Sequence, residues 1–185
     1  MTGAVDHPEV VVIGGRSGVG KTTVAHAVSR LWTLRGVAHC HIEGDNLSAA
    51  SPKPATDPLG TSLTEANLAA LWGNYSALGY RRLLYVNTVS VLEVPMIVRA
   101  VGGTARVTAV LLVASNDAIE QRLGARESGP ELREHLRRSE RAAAMLAQQH
   151  PADTHVVATD RLTPEAVAEH VVALAGRRDT AAKLP

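Results

Sequence analysis

Residues Gly15 to Thr22 read G-R-S-G-V-G-K-T and directly follow an apolar segment, Val10 to Ile13. This pattern suits phosphate binding, because glycines let successive backbone N–H groups curl around phosphate oxygens between a strand and a helix. The residues beyond it support the helix, since Val24, Val28 and Leu31 recur at helical spacing. The sequence therefore predicts a central buried strand, a phosphate-binding loop and a helix, in that order.

The loop has the form of a P-loop and predicts an ATP site. Lys21 is expected to reach the β- and γ-phosphates and to act in catalysis, and the Thr22 hydroxyl is expected to bind Mg²⁺. Thr23 would add a contact to the α-phosphate. The predicted nucleotide-binding residues of the loop are Gly15, Ser17, Gly18, Val19, Gly20, Lys21, Thr22 and Thr23.

Length and composition limit the class of protein. A chain of 185 residues suits one domain, residues 1–185, and its formal net charge of +1 provides no broad basic field for nucleic acid. The longest apolar run, Val107 to Ala114, is too short to cross a bilayer, and Met1 to Glu9 carry no secretory signal. The single cysteine, Cys40, agrees with a cytoplasmic location. We expect a monomer or homodimer that binds neither nucleic acid nor membrane.

Apolar stretches alternate with amphipathic ones along the chain, which predicts a parallel α/β architecture. The five predicted strands are Glu9 to Ile13, Val37 to Glu43, Arg82 to Thr88, Arg106 to Ala114 and Thr154 to Thr159. Helices are predicted from Lys21 to Arg35, from a capping box at Ser62 to Glu65, after Ser115, near Pro130, and from Thr163 to a stop at Gly176. Residues 1–8 and 177–185 are expected to be flexible tails.

Two acids flank a glycine at the end of the second predicted strand, in Glu43-Gly44-Asp45. The carboxyl ends of parallel strands face the ligand in such sheets, and phosphoryl transfer to a hydroxyl benefits from a carboxylate that orients the attacking oxygen. We assign that catalytic role to Asp45 and assign Glu43 to Mg²⁺, through water. The alternative is that either acid merely caps the loop.

An arginine-rich segment follows the fourth strand. Arginines carried over the phosphates by a mobile lid would stabilise the charge of the transition state and exclude water. Arg122 and Arg126 are the first candidates, with Arg126 assigned a catalytic role. The later arginines lie on a predicted helix and are Arg133, Arg137, Arg138 and Arg141. The simpler alternative for them is a charged helix face that is merely exposed to solvent.

Together these motifs resemble the P-loop small-molecule kinases, a group that includes gluconate, shikimate, adenylylsulfate and adenylate kinases. A GTPase lacks support because the chain contains no Asn-Lys-x-Asp motif. The resemblance covers nearly the whole chain and implies a three-layer α/β/α fold with a five-stranded parallel sheet in the order 2-3-1-4-5. It also implies an acceptor region at about residues 46–80 and a lid at about residues 122–141.

The same resemblance assigns several residues. It implies that Arg122 packs on adenine, that Arg126 contacts phosphates, and that Thr159, Asp160 and Arg161 line the adenine pocket. Gly44-Asp45-x-Leu47 is nearest to gluconate kinase, but residues 87–93 contain no lysine where a gluconate kinase has one. The predicted function is transfer of the γ-phosphoryl of Mg·ATP to a hydroxyl or phosphate of an unidentified small molecule. The alternative is a regulatory ATPase or switch protein without such an acceptor.

Overall fold

The central strand of the sheet is the apolar segment that precedes the glycine-rich loop. In the computed structural model, which describes residues 7–181, it pairs in parallel with a strand on each side. The five strands are β1 (Glu9–Gly14), β2 (Cys40–Glu43), β3 (Arg82–Val86), β4 (Arg106–Val113) and β5 (His155–Ala158). They form one parallel sheet in the order β2-β3-β1-β4-β5, which confirms the predicted fold and strand order.

Helices cover both faces of this sheet. They are α1 (Lys21–Leu34), α2 (Thr61–Ala77), α3 (Val94–Ala100), α4 (Asn116–Gly124), α5 (Gly129–Gln149) and α6 (Pro164–Ala181), with 3-10 turns at Gly44–Asn46 and Ser90–Leu92. Successive side chains of β1 alternate between the two faces: Val11 and Ile13 pack with α1 and α6, while Val10 and Val12 pack with α2 and α3. The continuous apolar run of β1 is thus explained by burial on both sides.

Two helix boundaries differ from the sequence predictions. Helix α6 continues through Gly176 to Ala181, so Gly176 does not stop it. The predicted capping box at residues 62–65 is also wrong, because α2 starts at Thr61 after Gly60, whose φ of 75° favours glycine. Asp57 serves this helix end instead, since its Oδ2 accepts a hydrogen bond from the Leu63 N–H at 2.9 Å.

Two further elements differ in extent or were not predicted. Strand β2 starts at Cys40 rather than Val37, and β3 ends at Val86 rather than Thr88. Helix α3 was not predicted. It has only seven residues, and a proline such as Pro95 near its start usually indicates a turn or loop in a sequence. Residues 1–6 and 182–185 of the predicted tails lie outside the described part of the chain. No helix between residues 7 and 181 has the length and apolar character that a bilayer crossing needs.

Candidate active site

The glycine-rich loop lies at the carboxyl end of β1 and leads directly into α1. Gly20 stands at the helix N-cap with a φ of 99°, and no side chain caps the helix, so its first N–H groups are left for a ligand. Gly15 has a different reason to be glycine: at a φ of 144°, a Cβ there would lie 2.6 Å from the Leu112 oxygen of β4. The loop is therefore shaped both for phosphate and for close packing on the sheet.

Lys21 is the first residue of α1, directly after the loop, and is only 8% exposed. Its Nζ donates to the Arg16 carbonyl oxygen at 3.4 Å. Burial lowers the pKa of the Lys21 ammonium, while the nearby carboxylates of Asp45 and Glu43 act to raise it. A buried ammonium with one long hydrogen bond retains the capacity to bind phosphate oxygens.

A cavity of about 380 Å³ opens beside the loop. Its walls come from the loop, from the turn after β2, from α4 and from the start of α6. The lining residues are Ser17, Gly18, Val19, Gly20, Lys21, Thr22, Thr23, Val24, Asp45, Arg122, Arg126, Thr159, Leu162, Pro164 and Val167. Four predicted site residues do not line it: Gly15, Glu43, Asp160 and Arg161. Leu162, Pro164 and Val167 form an apolar end of the cavity that carried no motif in the sequence.

Glu43, the last residue of β2, and Asp45, two residues further on, lie near Lys21. Thr22 Oγ1 donates to Glu43 Oε2 at 3.5 Å. The pKa of Glu43 is raised, first by burial and then by the Asp45 carboxylate, and is held down in part by Lys21. Asp45 itself is exposed and lines the cavity. Two carboxylates and a hydroxyl thus stand beside the phosphate loop.

Arg122 of α4 holds the far side of the loop. Its guanidinium donates to the Val19 carbonyl oxygen at 3.2 Å, to Thr159 Oγ1 at 3.1 Å and to the Thr159 carbonyl oxygen at 3.1 Å. Arg126, just past α4, is exposed and lines the same cavity. Arg122 therefore joins the phosphate loop to the turn after β5, whereas Arg126 remains open to a ligand.

The arginines of α5 do not reach the cavity. Arg133, Arg137, Arg138 and Arg141 are all exposed, and Arg137 and Arg141 contact Glu134 on their own helix. Their spacing places them on the solvent side of α5, so they form a solvated helix face.

A different face of α5 contacts the phosphate loop. His135 Nε2 lies 2.6 Å from Ser17 Oγ, and its Nδ1 lies 2.9 Å from the Glu127 carboxylate. One turn later, the buried Ser139 hydroxyl accepts from Arg16 Nε at 2.8 Å and donates to the Ser17 carbonyl oxygen at 2.9 Å. Sequence reasoning missed this contact, because its partners are more than 110 positions apart; only the i, i+4 spacing of His135 and Ser139 hints at it.

The turn after β5 contributes Thr159 and Leu162 to the cavity wall. Thr159 is buried and lines the cavity. Asp160 Oδ1 accepts from the Ser115 N–H at 2.8 Å, and the side-chain hydroxyl of Ser115, followed by this N–H, lowers the pKa of Asp160. Arg161 is exposed and stands outside the cavity walls, so its contact with adenine stays a prediction.

Comparison with protein-family models and with curated protein sequences found no match. Solved structures do match over nearly the full chain. A gluconokinase from Sinorhizobium meliloti 1021 aligns with a TM-score of 0.59 and 20% identity, covering 94% of this chain and 95% of its own. The APS kinase of Mycobacterium tuberculosis, solved with AMPPNP and APS, aligns with a TM-score of 0.55 and 22% identity, covering 91% and 97%.

A third neighbour, a shikimate kinase from Bacteroides thetaiotaomicron, aligns with a TM-score of 0.54 and 15% identity, covering 95% of this chain and 99% of its own. At these identities the likeness concerns the fold. It confirms, at that level, the resemblance carried by the sequence motifs. The chain therefore has the α/β fold of the P-loop small-molecule kinases.

Proposed function

We infer that the protein is an ATP-dependent phosphotransferase that moves the γ-phosphoryl group of Mg·ATP to a hydroxyl of a small molecule. The observation that carries this inference is the presence of Asp45 in the same cavity wall as Lys21, Thr22 and Arg126. A carboxylate facing the phosphate loop has the chemistry of an acceptor-orienting group rather than of a nucleotide-binding group. Kinases of small molecules among the structural neighbours also support it.

The residues around the loop fit a magnesium nucleotide. Open N–H groups at the start of α1 and the buried Lys21 ammonium suit phosphate, and the oxygens of Thr22 and Glu43 are of the kind that Mg²⁺ prefers. When held by these residues, Mg²⁺ would supply positive charge that neutralises the phosphates. The apolar end of the cavity at Leu162 and Val167 offers a surface for the adenine ring.

In the proposed reaction, the acceptor oxygen forms a bond to the γ-phosphorus. The bond between that phosphorus and the oxygen bridging it to the β-phosphate breaks, and ADP leaves. The hydroxyl proton passes to the Asp45 carboxylate. Lys21 and Arg126 balance the charge on the transferred group, and Arg122 holds the loop in place through Val19 and Thr159.

The test is a screen of a metabolite library for acceptor-dependent ADP production, with Lys21→Ala as the blank. An Asp45→Asn variant is expected to bind ATP as the natural protein does and to lose at least about a hundredfold in turnover, as general-base loss usually costs. Unchanged turnover of Asp45→Asn with a confirmed acceptor would contradict the role of Asp45. Hydrolysis that responds only to a protein partner would instead favour a regulatory ATPase.

A further inference from the structure

A buried hydroxyl without a hydrogen-bond partner lies under the turn that carries Asp45. Tyr85, at the end of β3, is 0% exposed, and its Oη has no partner among the described residues. The hydroxyl points toward Gly44, where a Cβ would collide with it. Burial raises the pKa of Tyr85 to about 12, and the carboxylates of Glu93 and Asp45 add to that rise, while the nearby Asn87 side chain acts to lower it. A polar group in such a place usually finds a partner, which here is left to a ligand.

A second acid faces the same place from the chain after β3. Glu93 is half-buried, and its Oε2 accepts from Asn87 Nδ2 at 3.2 Å. Burial raises the pKa of Glu93, and Asp45 raises it further, while Asn87 acts in the opposite direction. Its partner Asn87 follows Val86, which pairs with Glu43 across β2 and β3, so Glu93 lies beside the turn that carries Asp45. We call Asp45, Tyr85, Asn87 and Glu93 the acceptor cluster.

The cations of the surrounding segment are already engaged. Four basic side chains, apart from histidine, occur between residues 46 and 104. Lys53 donates to the Ser48 carbonyl oxygen, Arg81 to the Ser76 carbonyl oxygen, Arg82 to Glu9, and Arg99 to both carboxylate oxygens of Glu65. Next to Glu93 and Asp45, an anionic acceptor would therefore meet two carboxylates, because the cations that remain open in the cavity, Lys21 and Arg126, lie beside the phosphate loop.

Resting on the phosphotransferase function inferred above, we propose that the acceptor cluster binds a hydroxyl compound that carries a protonated amine. The ammonium pairs with Glu93 and relieves the repulsion between the two acids. The acceptor hydroxyl lies at Asp45, and the Tyr85 hydroxyl bonds a further polar atom of the ligand. The amine takes no part in the transfer, which proceeds as described for the hydroxyl. Amino sugars and amino alcohols have this chemistry.

The experiment measures acceptor binding directly, with the full chain loaded with AMPPNP and Mg²⁺. The probes are amino sugars and amino alcohols, each paired with its N-acetylated form, with D-glucosamine and N-acetyl-D-glucosamine as the reference pair and D-gluconate as the anionic probe. Calorimetry or ligand-observed NMR gives the affinities. At least one amine is expected to bind about tenfold or more tightly than its acetylated partner, because acetylation removes the charge.

Three variants test whether the preference for amines depends on the acceptor cluster. Glu93→Gln keeps the contact with Asn87 and is expected to abolish the amine preference, whereas Tyr85→Phe keeps the buried ring and weakens acceptor binding severalfold. Glu120→Gln, at an exposed acid on α4, is the matched control and is expected to change neither the amine preference nor the acceptor affinity. AMPPNP affinity is measured for every variant and is expected to stay unchanged.

The outcomes separate this inference from the proposed function. Equal binding of amines and acetylated partners, tighter binding of D-gluconate, failure of every amine to bind, or an amine preference that survives Glu93→Gln would each overturn the inference. A preference for amines without ADP formation from ATP would refute phosphotransfer and leave the inference standing. ADP formation with D-gluconate alone would support phosphotransfer and overturn the inference.

Discussion

Ser139 supplies the buried part of the contact between α5 and the phosphate loop, next to the pair of His135 and Ser17, so Ser139→Ala is the sharpest test of how the loop is held. Ser139 is 2% exposed and Arg16 is 5% exposed. The substitution leaves Arg16 Nε and the Ser17 carbonyl oxygen without the partners that stood at 2.8 and 2.9 Å. The Arg16 guanidinium keeps its bond to Asn116 Oδ1 at 2.5 Å, so its burial is still partly compensated.

The expected cost follows from these two losses. A buried polar group left unpaired costs about 1–3 kcal/mol, and a charged donor stands at the upper end of that range. We expect Ser139→Ala to lower the free energy of unfolding by about 2–4 kcal/mol, equivalent to about 4–16 °C in Tm for a chain of this size. ATP affinity is expected to fall as well, because the Ser17 carbonyl fixes the loop conformation.

Urea unfolding followed by tryptophan fluorescence measures the effect, since Trp32 and Trp72 are both buried and report on opposite faces of the sheet. Ser62→Ala, at an exposed position in α2, is the matched control and is expected to change stability by less than about 0.5 kcal/mol. If Ser139→Ala matches that control, the contact does not stabilise the loop and the reasoning is refuted.

Three further predictions concern other parts of the chain. Gly15→Ala is expected to lower the free energy of unfolding by about 2–4 kcal/mol, measured in urea, because its Cβ would meet a backbone oxygen of β4. Gly36→Ala is the control: with a φ of 69° and open space around the residue, it is expected to lower this free energy by about 1–2 kcal/mol. Equal losses for the two variants would contradict the prediction. Arg122→Met is expected to lower both stability and ATP affinity by breaking three hydrogen bonds, while Arg126→Met lowers turnover alone, as unfolding and steady-state kinetics would show. Burial raises the pKa of the Cys40 thiol from 9.0 to about 11, so the thiol should resist a disulfide reagent at pH 8 until the chain unfolds. The stability that the neutral thiol contributes should be complete below pH 9 and lost as the pH rises through 11. Rapid labelling of the folded protein would contradict this prediction.

The sequence predicted the local parts of the fold well. All five strands and the helices around them, apart from α3, follow from apolar runs, capping residues and glycines, which act over a few neighbouring positions. Gly176 misled the prediction because packing of α6 against α1 extends the helix past a weak helix former. Helix α3 has too few residues for a helical period to stand out.

In the candidate site, too, the local features could be predicted from the sequence and the contacts between distant residues could not. The loop from Gly15 to Thr22 could be predicted because a phosphate site requires a fixed local order of residue types. The orientation of the α5 arginines could not be predicted, since a helix of mixed charge offers no local signal for which face meets the loop. Ser139 and His135 take that face, and the arginines point to solvent.

By itself, then, the sequence determined a strand, a phosphate loop and a helix, together with the acids and arginines near them, because backbone conformation and short spacing encode these features. Only the tertiary structure decided which distant side chains meet them: Ser139 beneath the loop, and Glu93 and the Tyr85 hydroxyl beside Asp45. Such contacts depend on how helices pack on the sheet, and packing is set by the whole core rather than by any local pattern.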